Sequence, residues 1–300
     1  MNPIAPRSFN GFRQSAKTSE GFDKMRRRGI VLPPFQVEQS AAKLVRGEID
    51  GLIADLRKHL ILASVSTGIG VQDSENDLVT EAVERIKAQL EELELKGDLN
   101  EDEDRIRLQL YRQLAEAQQH FFTDFFEDAS ERLKTRIAYA LDKDEVFKNR
   151  LTGLRKGYID SAMTRISEGK SMLRKKFIGI LEQWVAGERP DLDGLDDMMN
   201  GIRKEGLNFS KFFARDQFSR FNRALLVTSY EEAGAKWIRW ATVLDQRVRN
   251  SHKKLQGKIF AINDLPKEYL DYNCRCGYLA VFELTQSMRV WPGDGVSLAA

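Results

Sequence analysis

Cysteine is nearly missing from this 300-residue chain, which has only Cys274 and Cys276, one residue apart. Two thiols so placed build no disulfide framework, and the expectation is assembly in a reducing cytoplasm. Histidine is almost as scarce, with His59, His120 and His252. Long apolar runs are missing too: none nears the roughly 20 residues of a membrane-spanning helix, so no membrane partner is expected. No apolar stretch follows the first basic residues, so no signal peptide is expected either. Charge of one sign is not in excess, since 47 Lys and Arg stand against 45 Asp and Glu. Whole-chain charge therefore selects no polyanionic partner.

The motifs of several enzyme classes are also absent. There is no G-x-S-x-G elbow, H-E-x-x-H pair, P-loop or Gly-rich dinucleotide turn. The base-deaminase pattern fails as well, because His252 is followed by two lysines and the cysteines are spaced C-x-C. The expectation is a protein that is not an enzyme. No internal repeat or low-complexity tract is present.

What is present is 42% hydrophobic and 31% charged residues, the mixture of a globular chain with charged helix faces. Residues 1–35 read as a basic, flexible arm; Arg7, Arg13, Lys17, Lys24, Arg26, Arg27 and Arg28 face only Glu20 and Asp23. Arg26, Arg27 and Arg28 are its nucleic-acid candidates. Residues 36–204 read as helical. Leu44, Ile49, Leu52, Ile53, Leu56, Leu60 and Ile61 recur at helical steps within a first helix over 36–65. A second helix is expected over 77–96, and one long or two nearly continuous helices from 101 to about 141. Phe121, Phe122, Phe125 and Phe126 sit there at helical spacing and are expected in the core. Further helices are expected over 143–186 and 209–234, around the break "AGERPDLDGLDD".

The pattern changes at Trp237. "KWIRWATVL" alternates as a strand, and "CRCGYLAVFEL" offers a second. Between them lies a charged loop, with Gly257 and Pro266 as turn residues. The fold class expected is α+β: long helices, then a small C-terminal module with a short sheet, then a mobile tail over 286–300.

Asp245, His252, Cys274 and Cys276 bring carboxylate, imidazole and two thiols to this module. Such a set suits a four-coordinate zinc, and zinc is the cofactor it would take. Two other readings stand beside it. In a metal-free corner, Asp245 accepts hydrogen bonds from Arg247, Arg249 or backbone amides. In a catalytic one, His252 activates Cys274 or Cys276. Lys253 and Lys254, with Arg247, Arg249 and Lys258, form a candidate phosphate contact, with Trp237, Trp240 and Phe260 nearby as stacking partners. Strand tryptophans are more often core.

"KWIRWATVLDQRVRNSHKKLQGKIF", followed by "NCRCGYLAVF", resembles the C-terminal domain of phage head morphogenesis proteins, the family of Mu protein F. The matching positions are Trp237, Asp245, Arg247, Val248, Arg249, His252, Gly257, Asn273, Cys274, Arg275 and Cys276. Upstream, "ARDQFSRFNRA" is similar to the family's A-R-T-E helix, with Asp216-Gln217 in place of Thr-Glu. The resemblance covers about 205–285. It implies a minor head (capsid) protein of a tailed phage or prophage that associates with the portal during procapsid assembly and acts in DNA packaging or ejection. The partners implied are portal protein, capsid or scaffold proteins and double-stranded DNA. The location implied is the virion interior near the portal, with the host cytoplasm as the place of assembly. The resemblance also suggests that the charged stretch is a structural corner. The alternative is a metal-dependent or ADP-ribosyltransferase-like effector on the same domain.

Overall fold

Apolar residues returning every three or four positions become helices unless a proline intervenes, and in this chain the helices are long. The computed structural model describes residues 35–66, 83–88, 90, 101–185, 192–242, 248–271 and 276–296. Helix α1 (Phe35–Ser66) follows Pro33-Pro34 and buries Leu44, Ile49, Ile53 and Leu56, four of the residues expected there. The expected second helix is seen at 83–88 and 90, with Val83, Ile86 and Leu90 buried; its other positions lie outside the described residues. Helices α2 (Glu101–Asp128) and α3 (Glu131–Lys143) are the nearly continuous pair, parted at Ala129-Ser130. Phe121, Phe122 and Phe125 are buried, as core residues should be, and they stack on one another and on Phe126.

Helix α4 (Glu145–Val185) runs 41 residues, and so does α5 (Leu192–Glu232). The expected start of α5 at 209 is too late. Glycine weakens a helix by only about 1 kcal/mol, whereas proline breaks it, so the helix begins just beyond Pro190 and carries its glycines. Gly206 has a packing reason: a Cβ there would fall 2.4 Å from Ile49 Cγ2.

The described residues form two units. The first takes Phe35–Ala115 and Arg155–Gln217. Its core is a set of helix stripes, among them Val45, Ile49, Leu110, Leu114, Leu173 and Phe177. Ion pairs tie the same helices: Glu48 accepts from Arg105 at 2.8 Å and Lys170 at 3.3 Å. Asp216, fully buried, accepts from Arg165 at 2.5 Å. Asp216 stands where the family pattern has Thr, so a buried ion pair occupies that position in this chain.

The second unit takes Glu116–Leu154 and the chain from Phe218 onward. Beside Phe125, α3 and the end of α5 it holds a three-stranded antiparallel sheet, order β2-β1-β3. Its strands are β1 (Trp237–Ala241), β2 (Ile259–Ala261) and β3 (Gly277–Val281). Registers Ile238↔Phe260 and Ile238↔Ala280 place β1 in the middle. Ile238, Trp240 and Thr242 form its buried face, the face the alternation assigns to one side. Two elements of the charged loop have no counterpart in the sequence reading: β2, and helix α6 (Asn250–Leu255). Each is too short for a period to register.

The expected mobile tail is held down as far as it is described. Trp291 N–H donates to Ile259 O at 2.8 Å, and Leu265 pairs with Val296. Asp264 accepts from the N–H groups of Gly293 and Gly295 at 3.0 and 2.9 Å. These donors hold its carboxyl below the ordinary carboxylate range. Gly and Pro composition suggests a tail; a single aspartate turns it into a closed loop.

Candidate functional site

The charged loop folds so that its one histidine is buried. In α6, His252 and Leu255 are one helical step apart and face inward, while Lys253 and Lys254 face solvent. His252 keeps only 2% of its surface. Trp240, fully buried on β1, meets the imidazole edge to face at 5.6 Å and Tyr278 of β3 at 5.1 Å. The end of β1 is tied to the same corner, because Thr242 N–H and Oγ1 both donate to Gln256 Oε1, at 2.6 and 2.9 Å. Gly257, at φ 76°, then reverses the chain in the left-handed region, where residues with a Cβ are strained. Its N–H donates to Trp240 O at 2.8 Å and starts the pairing with β2.

Both imidazole nitrogens of His252 are engaged. Nδ1 lies 3.3 Å from Sγ of Cys276, itself buried, and Nε2 lies 2.7 Å from Oδ2 of Asp271. A carboxylate only accepts, so Nε2 carries the proton and donates it. In the neutral ring Nδ1 then presents its lone pair to the sulfur. Arg249 Nη1 donates to the same carboxylate oxygen at 3.0 Å. Arg223 of α5 holds the backbone behind it, with Nη1 donating to Tyr269 O at 3.0 Å and Nη2 to Asp271 O at 3.4 Å. Tyr230, about two turns further along α5, donates its hydroxyl to Tyr278 O at 3.1 Å, and burial pushes that hydroxyl's pKa up. Helix α5 thus braces the Asp271 segment and β3 through two side chains.

The result is a carboxylate–imidazole–thiol chain at the mouth of β3. Such a chain suits a nucleophilic thiol or one side of a metal centre. The first use needs an approach for substrate, and at 2% and 5% exposure His252 and Cys276 offer none. For the second, two donors on one tetrahedral zinc, at about 2.0 and 2.3 Å, stand about 3.5 Å apart. The observed 3.3 Å between Nδ1 and Sγ is of that order. Among the described residues no three His, Cys, Asp or Glu side chains are grouped to hold a metal ion.

Of the residues singled out from sequence, the structure brings His252, Cys276 and Arg249 together. Trp237 is half-buried on β1, and Gly257 makes the turn. Lys253 and Lys254 are exposed. Trp240 and Phe260 are core residues, so neither presents a face for a base to stack on. Asp245, Arg247, Asn273, Cys274, Arg275, Arg26, Arg27 and Arg28 lie outside the described residues. Asp271 and Arg223 do not stand out in the sequence at all. The only trace of Asp271 is an acidic residue five positions before Cys276. Arg223 has no trace, because a buried arginine on a helix reads as a solvated one. Among the described residues no helix is long and apolar enough to cross a membrane.

This corner falls within a region of likeness to known proteins. Residues 193–279 match the model of the phage Mu protein F like protein family. An uncharacterized protein of Haemophilus influenzae is 41% identical over 76 residues, which make up 24% of this chain and 17% of the relative. The chain therefore spans about a sixth of that relative's length. No solved structure matches. The family match takes in nearly all of α5, then β1, α6, β2 and the first part of β3, that is, every element that builds the Asp271–His252–Cys276 corner. Over residues 193–279 the chain carries a domain of the phage Mu protein F-like family, the phage head morphogenesis family that its motif resembles.

Proposed function

We propose that this chain is a minor head protein of a tailed phage or prophage that associates with the portal during procapsid assembly and acts in DNA packaging or ejection. The observation that carries the reading is the family match over 193–279, on the motif Asp245–Arg247–Arg249–His252 with Cys274 and Cys276. The packing supports a structural role: His252, Cys276, Arg249 and Gly257 are buried or tied into the corner they close between strands. Protein contacts fall to the long helices of the first unit. Leu108, Tyr111, Met172 and Phe212 each expose 40% or more of their surface there, which offers apolar area for partner contacts. The basic arm faces DNA or the portal in this reading.

Co-sedimentation with the cognate portal protein tests it directly, and mass spectrometry of purified procapsids and virions tests the setting. Recovery in few copies with portal supports the proposal. A chain found in neither particle ends it. Retention of duplex DNA that weakens steeply with salt and is lost on deleting residues 1–30 supports the DNA role; retention unchanged by that deletion removes the arm from it.

A further inference from the structure

We propose that His252 Nδ1 and Cys276 Sγ are two donors to a structural zinc ion and that Asp271 is the positioning residue that makes His252 a ligand. Three observations converge. The separation of the two donor atoms, 3.3 Å, suits neighbours on one tetrahedral ion. The other imidazole nitrogen donates to a carboxylate at 2.7 Å, the arrangement that fixes the ring and its tautomer in metal-bound histidines. Both donors are buried in a module whose sheet has strands of five, three and five residues, too few to supply a large core of its own.

The geometry assigns each residue a distinct task. Asp271 takes the Nε2 proton in a hydrogen bond, which leaves the Nδ1 lone pair facing the sulfur. Arg249 Nη1, 3.0 Å from the same oxygen, holds the carboxylate in place from the solvent side. Arg223 fixes the Asp271 carbonyl, so the residue is anchored by side chain and backbone alike. Asp271 sits on the side of the ring away from the sulfur, so it orients the ligand and does not join the ion's own shell. Cys276 binds as thiolate, and its proton leaves to solvent when the ion enters. A tetrahedral ion takes two donors more; in the chain Cys274 stands two residues before Cys276 and Asp245 seven before His252.

The test uses the full chain, purified under reducing conditions, with zinc or cobalt(II) alone as the probe. Elemental analysis is expected to give about one zinc per chain. Cobalt(II) is expected to give the thiolate charge-transfer band of a tetrahedral site, abolished in Cys276→Ser. Asp271→Ala is expected to weaken zinc binding about 10- to 100-fold. Asp271→Asn should recover most of that loss, because its amide oxygen still accepts from Nε2–H. Nitrogen-15 NMR of His252 gives a readout that packing alone would not move: a proton on Nε2 and none on Nδ1 in the native chain, with the preference lost in Asp271→Ala. Three results overturn the proposal. They are a folded native chain that takes up no zinc or cobalt, Asp271→Ala that binds zinc as tightly as the native chain, and a native His252 protonated on Nδ1 in place of Nε2.

Discussion

The helical unit and the strand-bearing unit of this protein are held by different means. In the helical unit the same solution repeats: apolar stripes on α1, α2, α4 and α5 meet, and pairs such as Arg105–Glu48 and Arg107–Asp160 run between the helices. No one residue dominates, since many similar contacts share the load. The strand-bearing unit concentrates its order in a few side chains: Trp240, His252, Asp271, Arg223, Gln256 and Asp264. His252, Arg223, Gln256 and Asp264 each engage two groups at once. The contrast teaches that a short-stranded module is specified by polar contacts made once, and a helical unit by periodicity made many times.

The largest expected effect is on Trp240. It is fully buried and touches His252, Phe260 and Tyr278, so Trp240→Ala should destabilise the second unit by about 3–5 kcal/mol. Denaturant unfolding followed by near-ultraviolet circular dichroism checks it. A loss under about 1 kcal/mol would dissolve the distinction between a concentrated and a distributed core. In the helical unit the closest thing to a single key residue is Asp216, and Asp216→Ala removes the buried carboxylate that Arg165 donates to. The expected loss is about 3 kcal/mol, at the lower end for a broken buried pair because Arg165 keeps 18% exposure. The double variant with Arg165→Met, measured in the same way, should recover part of it.

Gly257→Ala comes next. Nothing lies within 4 Å of the added Cβ, so the cost is the backbone's alone, about 1–2 kcal/mol for a left-handed residue. Gly47→Ala, equally unobstructed but inside α1, should instead gain up to about 1 kcal/mol. Thermal unfolding of the two side by side sharpens the comparison between turn and helix glycines. Should both change stability in the same direction, the assignment of Gly257 to a strained turn fails.

The smallest effect is local and depends on acid. Asp264 has its pKa lowered in the folded chain by the Gly293 and Gly295 N–H groups. A depressed carboxyl stabilises the fold above its unfolded value of 3.8, and that contribution is lost as pH falls through the folded value. Hydrogen exchange at Gly293 and Gly295 should therefore stay slow down to about pH 4 and quicken below it. In Asp264→Ala the same amides should exchange fast at every pH. Slow exchange in that variant would mean that Trp291 and Val296 hold the segment unaided.

Legibility in the sequence followed the same division. The period of α1, the near-continuity of α2 and α3, and the burial of the phenylalanines could all be read, because a stripe needs only local spacing. The start of α5 was misplaced for a local reason as well: glycine and aspartate look like a break whether or not a helix can carry them. At the site, His252, Cys276 and Arg249 stood out through their motif. Asp271 and Arg223 did not, since a hydrogen bond formed across 19 or 46 residues leaves no mark in spacing.

The sequence by itself determined the helices, the buried face of β1 and the family of the C-terminal domain, because periodicity and a dense motif are properties of neighbouring residues. Only the tertiary structure decided which acid meets His252, that Arg223 braces it, that β2 and α6 exist, and that the glycine-rich end is tied down by Asp264. Those choices rest on buried donors and acceptors finding partners far along the chain. Which partner a buried group finds is settled when the elements pack, not where they are written.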